Sequence, residues 1–231
     1  MQSFDILRVI FVLIPMILAL TVHEYAHAFV AARLGDDTAA RQGRLTLNPI
    51  SHMDPIGTLL IPMVGIFSGV PFIGWAKPVP VSPLQFTRRI RMKTGMLLTS
   101  IAGPASNLLF AIFIAVVLGF VDPAVAYDAA AGETSVGVAL VKLACWTMTI
   151  NLGLLVFNLL PIPPLDGSKV LAGILPDRHD WVLDFLSRYS FVLFIAILLI
   201  GGRYIGYPIF WMIEQLGSLV GFPVLTVLAS G

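Results

Sequence analysis

Residues 6–34, 96–121 and 138–160 each run for more than twenty positions on side chains that are almost all apolar. A bilayer's hydrocarbon core is about 30 Å thick and a helix rises about 1.5 Å per residue, so about 20 apolar residues can cross it. Lipid offers no partner for a free N–H or C=O, and a helix satisfies both within itself. Helices are therefore the expected form of all three runs. A fourth run at 191–205 is nearly long enough. An apolar tail at 207–229 follows it, interrupted by Pro208, Gly217, Gly221 and Pro223.

Composition agrees. Of the 231 residues, 58% are hydrophobic and 12% charged, about half the charge of an ordinary soluble chain. This excludes a disordered protein and argues against a cytosolic enzyme. A net charge of +1 leaves no basic excess, so no nucleic-acid partner is expected. Cys145 is the single cysteine, which excludes an internal disulfide and a Cys-rich zinc site. The first run shows no small-residue cleavage site after a short apolar core, so it reads as a retained helix and not a leader. The expected fold is an all-α polytopic membrane protein with about four to six transmembrane segments. It forms a single domain, 1–231, with its core at 4–175 and apolar segments at 188–229.

Residues 56–75 are apolar but contain Gly57, Pro62, Gly65, Gly69, Pro71 and Gly74. That density argues against a regular helix and for turns or short strands. Basic residues lie on both sides, Arg33, Arg41 and Arg44 before it and Lys77, Arg88, Arg89, Arg91 and Lys93 after it. A segment that dips into the membrane and returns keeps both groups on the cytoplasmic side, as the positive-inside rule expects. Asp122, Asp128 and Glu133 then lie outside, as does the N-terminus. Residues 44–47 and 70–76 are β-prone and suggest short strands at the membrane surface.

Ionisable groups within a span are costly and mark function by default. The first run holds His23-Glu24-Tyr25-Ala26-His27. Four residues advance a helix by about 400°, so His23 and His27 share a face one turn apart. Both imidazoles can meet one zinc, with Glu24 leaning over the open position. The blander reading is a structural polar cluster. A catalytic zinc needs a third protein ligand. His52 and His179 sit in loops, whereas Asp166 follows Pro161, Pro163 and Pro164, which must break the third span. Asp166 could be a ligand, an N-cap for the helical pattern of 168–175, or both. His23 lies ten residues, about 15 Å, before the cytoplasmic Arg33, and Asp166 lies a comparable path from Lys169 and Arg178.

These pieces resemble the site-2 protease family of intramembrane zinc metalloproteases. The matches are residues 23–27, Gly103-Pro-Ala-Ser-Asn107, and Asn158 through Asp166-Gly167, with surface stretches at 43–57 and 75–81. The resemblance implies one Zn2+ per chain, held by His23, His27 and Asp166, with Glu24 as the catalytic base that activates water. It gives Asn158 a role in holding the substrate strand and leaves Asn107 between packing and substrate contact. It implies a short form without a PDZ or CBS domain, multi-pass in the plasma membrane, its active site toward the cytoplasm. The implied partners are the lipid bilayer and a membrane-protein substrate with a transmembrane segment, unwound and held against an exposed strand edge near 44–47 and 70–76.

Two other classes compete. A silent metal-binding scaffold or chaperone would not need Glu24. A metal transporter should carry polar groups at several depths, and here they sit at one level. His52 and Asp54 read as turn-fixing residues, His179 as solvated, Cys145 as packing, and Trp75, Trp146, Trp181 and Trp211 as interface anchors.

Overall fold

The computed structural model describes residues 6–68, 74–200 and 202–229, and these contain helices and irregular segments but no strand. Among the described residues three helices are, by length and composition, able to cross a membrane: α1 (Ile6–Arg33), α4 (Met92–Leu118) and α6 (Val136–Asn158). Between the first two lie α2 (Thr38–Arg41) and α3 (Ile61–Ser68). The short helix α5 (Ala124–Ala130) precedes α6, and Ser135 caps α6 by accepting the Val138 N–H at 3.1 Å. The chain then forms α7 (Asp166–Ile174), α8 (Asp180–Arg188), α9 (Ser190–Ile200), α10 (Gly202–Val220) and α11 (Val224–Leu228).

Helix α4 is central, in contact with α1, α6, α7 and α10. Its buried face carries Gly95, Thr99, Gly103, Asn107, Ala111 and Ala115 at four-residue intervals. Positions four apart form one ridge of a helix, and none of these side chains is large. Without a hydrophobic drive between helices in lipid, close approach over small residues supplies the attraction. Farther along, Ala111, Ala115 and Leu118 join Val141, Met148 and Leu152 of α6, Ile213 of α10 and Val224 and Val227 of α11 in the main apolar core.

The insertion after α1 differs from expectation. Residues 55–68 are helical, a π-helical turn at Pro55–Leu60 running into α3. Asp54 starts it by accepting from Ile56 N at 2.9 Å and Gly57 N at 2.7 Å, with Pro55 in the first turn. Pro62 has no N–H to give, and the Gly57 carbonyl accepts instead from Trp75 N at 3.2 Å. These fourteen described residues rise about 21 Å as a helix. The strand expected at 44–47 is absent. Its polar groups are engaged locally, the Thr46 carbonyl by His52 Nε2 at 2.8 Å and the Thr46 hydroxyl by Asn48 N at 3.1 Å. The strand expected at 70–76 falls partly outside the described residues, and 74–76 is irregular.

The segment from Gly74 to Arg91 is fastened to the end of α1. Buried Asp36 accepts from Ser82 N at 2.6 Å, and Thr87 N donates to Leu34 O at 2.7 Å. The buried Arg44 guanidinium donates to Lys77 O at 2.5 Å. On the surface Arg41 pairs with Asp37, holding that carboxyl below its ordinary pKa and raising the guanidinium's own. In the apolar region expected to supply further crossings, α10 packs against α6 and α4.

Candidate metal centre

His23 and His27 lie on the buried face of α1, 4% and 8% exposed, with imidazoles edge to face and ring centroids 4.6 Å apart. The chain break after α6 brings Asp166 to them as the first residue of α7. The capping position is taken by Leu165, so the Asp166 carboxylate is free of that role and turns toward the histidines. Its Oδ2 lies 3.1 Å from His23 Nε2 and 3.1 Å from His27 Nε2, and the two Nε2 atoms are 3.0 Å apart. Among the described residues this is the one group of three or more His, Cys, Asp or Glu arranged to hold a metal.

The donor set fits zinc. With metal–ligand bonds of about 2.0–2.1 Å, the edges of a tetrahedron are about 3.3 Å, close to the observed triangle. Both rings are also held from behind. The Thr99 carbonyl accepts from His27 Nδ1 at 2.7 Å. A carbonyl only accepts, so Nδ1 carries a proton, and in the neutral ring Nε2 is the nitrogen with the lone pair for a metal. His23 Nδ1 meets Asn107 Oδ1 at 2.6 Å. Lys169 Nζ lies 3.4 Å from the other oxygen of Asp166.

Two glycines make the site possible. A Cβ on Gly103 would stand 2.4 Å from His27 Nε2 and 2.6 Å from His23 Cε1. One on Gly167 would stand 2.3 Å from the Leu159 carbonyl oxygen, so α7 could not tuck against the end of α6.

Glu24, 9% exposed, is next to the triangle, and its Oε2 accepts from Val79 N at 2.8 Å. A cavity of about 320 Å³ opens here, lined by His23, Glu24, His27, Asp166, Asn158 and Lys169, with Pro78, Val79 and Val81 on another wall. Asn158 lines it with one amide hydrogen given to Leu154 O at 3.1 Å. Thr99 also lines it, and its buried hydroxyl has no protein partner.

Five of the six residues singled out in the sequence thus meet at one cavity. Asn107 does not line it: the side chain is 0% exposed, behind His23. His52 bonds Thr46 and Asp54 caps the turn at 55, as expected. The sequence reading missed Asn151, which meets Asn107 at 2.8 Å, as well as Lys169 and Val79. A neutral amide in mid-span is the available signal for Asn151.

Comparison with known proteins agrees with this geometry. The model of peptidase family M50 matches residues 87–200. The chain is 38% identical over 199 residues to "Putative zinc metalloprotease YwhC" of Bacillus subtilis, covering 86% of this chain and 84% of that one. It is 31% identical over 197 residues to "Putative zinc metalloprotease Rip2" of Mycolicibacterium smegmatis, covering 82% and 67%. The Mycobacterium tuberculosis H37Rv protein of the same name is 29% identical over 212 residues, covering 90% and 74%. No solved structure matches. With a buried His-His-Asp triangle beside a glutamate, and relatives alike over most of their length, the chain belongs to peptidase family M50, that of the site-2 proteases.

Proposed function

We propose that the protein is an intramembrane zinc metalloprotease that hydrolyses peptide bonds within or near transmembrane segments of other membrane proteins. The observation that carries this reading is the convergence of His23, His27 and Asp166 within hydrogen-bond distance of one another, beside Glu24, at the wall of a cavity. His23, His27 and Asp166 are the zinc ligands, one ion per chain. Zinc would supply a Lewis acid that polarises a peptide carbonyl and acidifies water.

Glu24 is the base. One of its oxygens is held by the Val79 N–H, and the other is left to take a proton from the attacking water. As the C–O bond forms and the C–N bond breaks, the carboxyl returns that proton to the leaving amine. Asn158 holds the substrate. One amide hydrogen is committed to Leu154 O, which leaves the second hydrogen and the carbonyl oxygen for an extended backbone. A helical substrate must be unwound first, because its carbonyls are already hydrogen-bonded. The basic residues around α2 and before α4 favour a plasma-membrane orientation with the cavity toward the cytoplasm.

The test is Glu24→Gln. This variant should keep its zinc and its fold, and cleavage of a single-span reporter should fall by about 10²–10⁴. Cleavage at the wild-type rate would remove Glu24 from the chemistry. A wild-type protein that binds zinc and a panel of single-span substrates but cleaves none would favour a scaffold.

A further inference from the structure

Two asparagines in the middle of apolar helices take no part in the reaction above. Asn107 of α4 and Asn151 of α6 are each 0% exposed. A buried amide is costly unless its donors and acceptors are matched, and here they are matched in one direction only. Asn151 Nδ2 donates to the Thr147 carbonyl at 2.8 Å. That carbonyl can only accept, which turns Asn151 Oδ1 toward α4. Asn107 Nδ2 donates to it at 2.8 Å, with Ala19 O a second acceptor at 3.3 Å. Asn107 Oδ1 is then the atom facing His23 Nδ1, at 2.6 Å.

An amide oxygen also only accepts, so His23 carries its ring proton on Nδ1. Nε2 is the nitrogen left facing His27 and Asp166, and in the neutral ring it offers a lone pair there. Reversing either amide would set two donors or two acceptors against each other at buried contacts. Helix α4 serves both rings: the Thr99 carbonyl acts on His27 directly, and Asn107 acts on His23.

We infer that Asn107 and Asn151 form a positioning relay, set by the Thr147 carbonyl, that fixes the tautomer and orientation of His23 as a metal ligand. Asn107 therefore serves the ligand and not the substrate. The inference rests on the metal reading above. It identifies Asn151 as a residue that acts only through Asn107.

Zinc affinity in detergent, measured by chelator competition, tests the relay. Losing such an outer partner typically weakens metal binding by about 10–100-fold, and Asn107→Leu should fall in that range. Asn151→Leu should weaken binding in the same direction. Asn151→Asp, which in either protonation state offers Asn107 an acceptor, should restore it. The double variant should bind no more weakly than Asn107→Leu alone, because Asn151 has no other route to the site. Leu152→Ala, a core truncation one residue from Asn151, should leave affinity unchanged and controls for loosened packing.

A second readout needs no variant and no zinc. In the metal-free wild-type protein, labelled with 15N-histidine, His23 Nδ1 should carry a proton whatever the state of Nε2. An unprotonated Nδ1 would overturn the relay. So would wild-type affinity in Asn107→Leu, or full additivity in the double variant. A wild-type protein that binds no zinc would instead overturn the metal reading, leaving the tautomer result to judge the relay alone.

Discussion

Gly103 separates the site from the helix that carries it. Alanine is a better helix former than glycine by about 1 kcal/mol, so Gly103→Ala should not weaken α4 on its own. The added Cβ would nevertheless stand 2.4 Å from His27 Nε2, and the imidazoles must move. The expected outcome is a folded protein that has lost most of its zinc, checked by metal content beside thermal unfolding in detergent. Retained zinc with full activity would mean that the rings do not sit against α4 as described. His23, Glu24, His27 and Asp166 were legible because ionisable groups within apolar runs need a reason to be there. Gly103 was legible only as part of a motif, since its reason is a distance. Asn151 offered only the signal of a neutral amide in mid-span, and the partner that gives it a role, Asn107, lies on another helix.

At the level of elements, the site depends on α7 returning to the end of α6. Lys93 at the start of α4 holds the far end of α7, donating to Leu175 O at 2.6 Å and to Asp177 at 2.7 Å. The Lys93 ammonium holds the exposed Asp177 carboxyl below its ordinary pKa. A depressed carboxyl contributes stability above its unfolded pKa and loses it as pH falls through the folded value. Being exposed, the pair is worth little. Lys93→Met should therefore speed amide exchange in α7 modestly near neutral pH, and the gap from wild type should narrow in acid as the Asp177 contribution is lost. An equal gap at all pH values would assign the whole effect to the Leu175 carbonyl. Elements were legible where one physical term dominates. The expected spans at 6–34, 96–121 and 138–160 and the helices at 6–33, 92–118 and 136–158 differ by a few residues, because hydropathy and length set both. The glycines and prolines of 56–75 point to turns or short strands, whereas Asp54, Pro55 and the Trp75 N–H jointly allow a helix over 55–68 that composition disfavours. Residues 44–47 have a strand's alternation, but the Thr46 carbonyl is engaged by His52 and the Arg44 N–H by the Ala39 carbonyl, both local partners.

For the whole molecule, the predicted arrangement keeps positions 41 and 89 on one side of the membrane and 128 on the other. With Cys145 replaced, cysteines introduced at 41 and 89 should be labelled by an impermeant reagent only from the cytoplasmic face, and one at 128 only from outside. Labelling of 41 and 89 from opposite faces would make 55–68 part of a true crossing. The placement of α10 and α11 against α6 could not be read from the sequence, since it is a matter of packing between helices and not of hydropathy.

The central claim is that a buried triangle of two imidazoles and a carboxylate holds one zinc. The most direct measurement is metal content per chain of protein purified in detergent, wild type beside His23→Ala, His27→Ala and Asp166→Ala. Wild type should carry close to one zinc and each variant markedly less, because removing any corner leaves an incomplete set of ligands. Zinc unchanged in all three variants, or absent from the wild type, would contradict the assignment.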